Sequence, residues 1–126
     1  MVKQVPTLPG IQPGTSAFSQ VVEANGFVFV AGQVGDDPAT RTVAAGGFEA
    51  EVRAMFENLR RVLQAVGLDL PDVVKSTVYL TDIADFKTYD TIYREYFPSE
   101  PPTRATLAVA SLVPPYRIEI EVIAAR

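Results

Sequence analysis

The chain has 126 residues, of which 48% are hydrophobic and 10% aromatic; it can bury one ordinary core, and we predict a single domain over residues 1–126. Its 15 acidic residues outnumber its 11 Lys and Arg residues, which gives a formal charge of -4. An excess of negative charge argues against binding to a phosphate backbone, so we expect no nucleic-acid partner. The sequence has no His or Cys, which excludes an imidazole base, a Cys nucleophile and Cys/His zinc sites, and the acidic residues lack ligand spacing; we expect no metal and no cofactor.

The first fourteen residues are rich in proline and glycine, so residues 1–14 are predicted to form an irregular N-terminal segment. They lack the apolar core of a signal peptide. The longest apolar run, residues 27–31, is far shorter than the roughly 20 residues of a membrane span. We therefore expect a cytoplasmic protein without a membrane partner.

The first ordered elements are predicted to form a β-hairpin. Residues 16–24 and 27–32 have the composition of strands, and Asn25-Gly26 between them is typical of a two-residue turn. A turn follows at residues 36–40, and residues 41–44 are predicted as a short strand.

A long helix is predicted from Phe48 to Gly67, because the apolar residues now recur at helical spacing and Gly67 is a typical C-terminal stop. The opposite face is charged and is interpreted as a solvated surface. The apolar stripe consists of Phe48, Val52, Met55, Phe56, Leu59, Val62, Leu63 and Val66, and the charged face of Glu49, Glu51, Arg53, Glu57, Arg60 and Arg61.

A strand over 73–80 and a second helix over 84–97 come next. The strand is rich in β-branched residues, and the helix ends before Pro98. The helix carries an aromatic stripe that we interpret as core, formed by Phe86, Tyr89, Tyr93 and Phe97.

Two final strands, 104–110 and 117–124, complete the order β-β-α-β-α-β-β. Two helices are too few to cover both faces of a sheet, so we predict an α+β fold, a two-layer sandwich with the helices on one face of a mixed sheet. Such an uncovered face commonly packs against copies of itself. We expect it to carry Val22, Val30, Val78 or Leu80 and the charged row Arg117, Glu119 and Glu121.

Six blocks of sequence carry a family resemblance from about residue 14 to the C-terminus. They are SAFSQVV (16–22), NGFVFVAGQ (25–33), VVKSTVYLTD (73–82), DFKTYDTIY (85–93), PPTRATLAVA (101–110) and RIEIEVIA (117–124). Together they resemble the RidA/YjgF family of reactive-intermediate deaminases, once called L-PSP endoribonucleases. The resemblance implies a chorismate-mutase-like fold, a homotrimer whose three sheets form a central barrel, and ligand sites in clefts between subunits.

The resemblance also implies roles for individual residues. Arg104 corresponds to the catalytic-site arginine that binds the carboxylate of a 2-imino or 2-enamino acid, for which a guanidinium offers a matching fork of donors; the alternative is an interface salt bridge. Glu119 corresponds to the catalytic acid/base carboxylate; the alternative is a charge that only faces the barrel. The Gly32 backbone is expected to approach the substrate, and Thr106 stands where many members have Cys and is expected to contribute its hydroxyl or backbone.

Three further substrate-binding candidates depart from the family pattern. Phe18 replaces a common Tyr, Ala31 replaces a Ser and Asp90 replaces an Asn, and each exchange alters the hydrogen bonding of the pocket. An ionised Asp90 in the cleft would place negative charge where an anionic substrate binds, which favours altered specificity or a reduced rate. Phe86 and Asp90 are the candidates for groups contributed by a neighbouring subunit.

The function implied by the resemblance is hydrolysis of 2-imino acids, such as 2-iminobutanoate or 2-iminopropanoate, to 2-oxo acids and ammonia. One alternative is a non-catalytic module that binds small carboxylates through Arg104. Another is a deaminase of a specialised pathway with a larger imine or enamine, which Ala31 and Phe18 would suit. Endoribonuclease activity is disfavoured because the chain has neither a basic stripe nor His.

Overall fold

The computed structural model describes residues 2–126, and its centre is a five-stranded sheet in the order β1-β2-β7-β5-β6. Strands β5 and β6 are parallel and the other neighbours antiparallel, while β3 and β4 form a separate small hairpin. The elements are β1 Val21–Ala24, β2 Phe27–Val34, β3 Asp36–Asp37, β4 Thr42–Val43, α1 Phe48–Ala65, β5 Val73–Leu80, α2 Phe86–Tyr96, β6 Thr103–Ala108 and β7 Ile118–Ala125, with 3-10 turns at Leu70–Asp72 and Ile83–Asp85. The predicted α+β fold is confirmed, and within residues 2–126 the sheet is open, with β1 and β6 at its edges.

The hairpin between β1 and β2 turns at the predicted position. Asn25 and Gly26 both have positive φ, 52° and 79°, the conformation that a tight two-residue hairpin turn requires. The register places Ala24 opposite Phe27. The expectation of a strand from residue 16 is wrong, because the chain bends there, with the Phe18 amide donating to the Ser16 carbonyl, and β1 begins only at Val21.

Helix α1 packs its apolar stripe against the covered face of the sheet. Seven members of its predicted apolar stripe are buried, and Phe48 packs against their cluster from its edge. The interpretation of the opposite face as solvated is wrong at Glu51, which is only 3% exposed. Its carboxylate accepts hydrogen bonds from the backbone amides of Arg117, at 2.7 Å, and Ile118, at 3.2 Å. Glu51 therefore fixes the start of β7 from the helix layer.

Helix α2 begins at Phe86, after a 3-10 turn in which the Asp82 carboxylate accepts from the Ala84 amide at 2.9 Å. The interpretation of its aromatic stripe as core is confirmed for the three members that follow Phe86, whereas Phe86 lies at the rim. Within the described chain, no helix combines the length and apolar composition that a bilayer crossing demands.

The uncovered face differs from expectation in its apolar residues. Val30, Val78 and Leu80 are buried against the helices, and strand pairing explains why, because Val30 lies opposite Val122 and Val78 opposite Ile120. Directly opposed residues share a face, and these partners belong to the buried row of β7. Large apolar side chains do stand on the uncovered face, namely Phe27, Phe29 and Leu107, which are 44%, 42% and 41% exposed.

Candidate functional site

Arg104 lies on the edge strand β6 with its side chain on the helix-covered face. It is opposite Ser76, a buried residue whose hydroxyl is 2.7 Å from the Tyr93 hydroxyl. The guanidinium carbon is 4.6 Å from the ring centroid of Tyr93, 5.3 Å from that of Tyr89 and 5.5 Å from that of Phe86. Such contacts attract a cation to the ring faces, so α2 holds the Arg104 guanidinium in place.

Asp90 forms an ion pair with Arg104. The Arg104 Nη1 atom donates to Asp90 Oδ1 at 2.8 Å, and Arg94 Nη2 donates to Asp90 Oδ2 at 3.2 Å. The hydrogen bond from Arg104 lowers the pKa of Asp90, so its carboxyl group stays ionised at neutral pH. Both side chains border a cleft of about 600 Å³ that also touches Pro101 and Pro102. The guanidinium has five donors and the bond to Asp90 uses one of them.

Thr106 follows two residues later on the same face of β6 and hydrogen-bonds with the Tyr89 hydroxyl. The sequence analysis interpreted Tyr89 and Tyr93 only as core residues. It missed that their rings contact the Arg104 guanidinium. Their hydroxyls were the available signal, because a buried tyrosine needs a polar partner. We call the group formed by Phe86, Tyr89, Asp90, Tyr93, Arg104 and Thr106 the Arg104 cluster.

Glu119 lies on the other face of the sheet. Its neighbours in β7, Ile118 and Ile120, are buried, so alternation directs Glu119 to the uncovered face. Beside it β2 contains a bulge, in which Ala31 and Gly32 span the register shift. A Cβ atom at Gly32 would overlap the Glu119 carboxylate, so the missing side chain makes room for it. Ala31, Gly32 and Glu119 form what we call the Glu119 cluster.

The environment of Glu119 favours its protonated form. Burial raises the pKa of Glu119, and the nearby Glu121 acts in the same direction. Glu121 accepts a hydrogen bond of 2.5 Å from the Tyr79 hydroxyl, which raises the pKa of Tyr79 to about 12. A carboxyl group with a raised pKa is better matched to accepting and returning protons near neutral pH than an ordinary one.

The structure divides the predicted site residues into two groups. One group surrounds Arg104 and contains Phe86, Asp90 and Thr106. In the other group, Gly32 lies beside Glu119. Arg104 and Glu119 are on opposite faces of the sheet. Phe86 and Asp90, the candidates for groups contributed by a neighbouring subunit, contact Arg104 of their own chain.

Phe18 and Ala31 are linked through the backbone of the segment before β1. The Ala31 amide donates to the Gln20 carbonyl at 2.9 Å, so this segment runs beside the bulge. The Phe18 side chain is 58% exposed. It is thus accessible to a ligand or to another protein surface.

A second cleft, of about 270 Å³, lies between the N-terminal segment, α1 and the β3–β4 hairpin. Polar side chains that line it are hydrogen-bonded within the chain: Asn58 donates to the backbone carbonyls of Val34 and Asp36, and the Gln33 side chain donates to that of Gln20. These hydrogen bonds join β2 to α1 and to the segment before β1.

The fold and the two clusters define a small α+β protein with an arginine held by aromatic rings on one face of a sheet and a carboxyl group on the other. The sequence model of the Endoribonuclease L-PSP family matches residues 11–126. The chain belongs to this family, also called RidA/YjgF, which confirms the resemblance seen in the six sequence blocks.

Relatives with assigned names span most of the chain. A RutC family protein of Pyrococcus horikoshii is 40% identical over 107 residues, 85% of either chain. The human 2-iminobutanoate/2-iminopropanoate deaminase is 41% identical over 107 residues, which cover 85% of this chain and 78% of the human one. The crystal structure of RidA from an Antarctic Psychrobacter species matches with a TM-score of 0.89 at 32% identity, over 98% of this chain and 99% of that one.

Proposed function

We propose that the protein is a homotrimeric deaminase that hydrolyses 2-imino and 2-enamino acids to 2-oxo acids and ammonia in clefts between subunits. The observation that carries the proposal is the placement of Arg104, whose cation is held by three aromatic rings at the border of a 600 Å³ cleft. A guanidinium so placed matches the carboxylate that every 2-imino acid carries. The names of relatives such as the human deaminase support the same reaction class.

The proposed chemistry uses Arg104 for binding and Glu119 for proton transfer. The substrate carboxylate binds the Arg104 guanidinium, and ionised Glu119 takes a proton from water as the water oxygen bonds to the carbon of the protonated imine. Glu119 then returns that proton to the nitrogen of the tetrahedral intermediate. The C–N bond breaks, ammonia departs with its electron pair and takes the hydroxyl proton as ammonium, and the water oxygen becomes the carbonyl oxygen of the 2-oxo acid.

The proposed trimer joins the two clusters. Because Arg104 and Glu119 lie on opposite faces of one sheet, we infer that each site combines the Arg104 cluster of one subunit with the Glu119 cluster of its neighbour. The exposed apolar residues of the uncovered face, Phe27, Phe29 and Leu107, support assembly through that face. The expected assembly is three times 13.7 kDa by mass measurement in solution, and a stable monomer would contradict the proposal.

The reaction is tested by generating 2-iminobutanoate and 2-iminopropanoate with an amino-acid oxidase and following their decay with and without the protein. We expect Arg104→Ala to lower kcat/KM by at least about a hundredfold, because a charge-assisted bidentate contact is lost. Arg53→Ala is the matched control: this arginine also binds a carboxylate of α2, that of Glu95, but it does not border the cleft. An intact wild-type trimer that accelerates neither decay would contradict the proposal and favour a binding module or a larger imine substrate.

A further inference from the structure

The Arg104 guanidinium already forms an ion pair with a carboxylate of its own chain. Asp90 Oδ1 lies 2.8 Å from Arg104 Nη1, and the two side chains are only 19% and 24% exposed. Arg94 lies one helical turn beyond Asp90 and binds its other oxygen. Asp90 is thus fixed from two sides at the same cation that the proposed substrate uses.

A ligand carboxylate bound to Arg104 becomes a near neighbour of this internal one. The guanidinium keeps donors for a ligand, because the contact with Asp90 uses Nη1 alone. Two carboxylates on one guanidinium nevertheless repel each other, and the repulsion is strengthened where solvent is partly excluded. A neutral carbonyl, as in an amide or ester, accepts the same N–H bonds without this repulsion.

We propose that Asp90 sets the charge specificity of the site around the Arg104 guanidinium. Asp90 weakens the preference of the guanidinium for carboxylates, so that the site accepts neutral imines, such as those of amino-acid amides or esters, as well as imino acids. The proposal rests on the proposed function for its choice of substrates. It concerns the binding step, so it is testable on ligands that do not react.

The test compares the affinities of 2-oxobutanoate and 2-oxobutanamide, measured by calorimetry on the trimer of the wild type and of Asp90→Asn. The Asn variant keeps the shape of the side chain and removes its charge. We expect it to bind the oxo acid about five to ten times more tightly, the effect of one charge about 5 Å away in a partly solvated site, and the amide within about twofold of the wild type. The ratio of the two affinities then shifts about five- to tenfold toward the carboxylate.

Glu95→Gln is the matched control, since it removes the same charge from α2 at a residue that pairs with Arg53 instead. The control is expected to leave the ratio unchanged. An unchanged ratio in Asp90→Asn overturns the proposal. So does equal weakening of both ligands, which would mean that Asp90 only positions the guanidinium, and so does a lack of measurable oxo-acid binding by the variant.

Turnover separates this proposal from the proposed function. With 2-iminobutanoate as substrate, Asp90→Asn is expected to lower KM by a similar factor and to change kcat little. A wild type that hydrolyses no imine would refute the deaminase, while the affinity ratio would still decide the role of Asp90. An active wild type with an unchanged KM in Asp90→Asn would refute the role of Asp90 alone.

Discussion

The Arg104 cluster and the Glu119 cluster handle a partly buried charge in opposite ways. Arg104 is surrounded by partners from its own chain, three aromatic rings and the Asp90 carboxylate. Glu119 stands on a bare sheet face, where Gly32 supplies space rather than a counter-charge. Arg104 thus has a counter-charge within its own chain. For Glu119, a favourable partner would have to come from a ligand or a neighbouring subunit.

The carboxyl groups of the two clusters, Asp90 and Glu119, show the same contrast. The hydrogen bond from Arg104 lowers the pKa of Asp90, whereas burial raises the pKa of Glu119. Of the two, Asp90 is a permanent anion, suited to setting charge specificity, and Glu119 is the group suited to exchanging protons. The contrast therefore assigns different work to residues of the same chemical type.

The contrast is tested most severely by Glu119→Gln. We expect kcat to fall by about 10²- to 10⁴-fold, the contribution typical of a general acid–base group, with little change in KM because Arg104 still binds the carboxylate. Steady-state kinetics on 2-iminobutanoate measure both constants. Glu121→Gln, on the same strand and face, is the matched control, and an equally large fall in kcat there would refute a specific role for Glu119.

The raised pKa of Glu119 predicts two pH-dependent differences between the wild type and this variant, one in rate and one in stability. A base must be ionised, so the wild-type rate should fall as pH drops through the Glu119 pKa, and this limb should be absent from the residual rate of the variant. The native state holds the Glu119 proton more tightly than the unfolded state. The contribution of the protonated Glu119 to wild-type stability is therefore lost as pH rises from the ordinary carboxyl pKa through the raised native pKa. In urea unfolding, the stability of Glu119→Gln relative to the wild type should therefore increase as pH rises through the raised native pKa of Glu119.

Mixed trimers test whether the two clusters meet across a subunit boundary. Arg104→Ala and Glu119→Gln chains, each expected to be strongly impaired alone, are unfolded together in equal amounts and refolded. If each site takes one cluster from each of two subunits, random assembly leaves about a quarter of the sites with both residues intact, and about a quarter of the wild-type rate should return. Activity no higher than that of the separate variants would place both residues in one subunit's site.

The fold could be predicted from the sequence wherever the signal is local. Asn25-Gly26 fixes a turn through its own backbone preferences, and the stripe of α1 reports its own buried face. The face of a strand is not local, and the placement of Val30 and Val78 was wrong because it depends on which side the helices cover. Burial of Glu51 escaped for the same reason, since its partners are amides 66 and 67 residues away.

The candidate site was only partly accessible from the sequence. Composition showed that catalysis without His or Cys would need carboxylates, arginine or hydroxyls, and the resemblance then indicated Arg104 and Glu119. The face of Glu119 follows from alternation in β7. The face of Arg104 follows from the parallel register of β6 against β5, a long-range pairing. Its contact with Asp90 depends in addition on the position of α2.

The smallest expected effect concerns the space beside Glu119, and a pair of glycines isolates it. In Gly32→Ala the new Cβ meets the end of a flexible side chain, so the Glu119 carboxylate can move aside, and we expect about a tenfold loss of kcat with little loss of stability. In Gly35→Ala the new Cβ meets the backbone carbonyl of Glu51, which cannot move freely, so we expect about 1–3 kcal/mol of destabilisation with kcat largely kept.

Kinetics and urea unfolding of both variants decide the outcome. If Gly32→Ala instead loses stability and keeps its rate, the Glu119 carboxylate is locked by packing and its position is not critical to the reaction. That result would remove the distinction between the two clusters, because Glu119 would then be as firmly held by its own chain as Arg104.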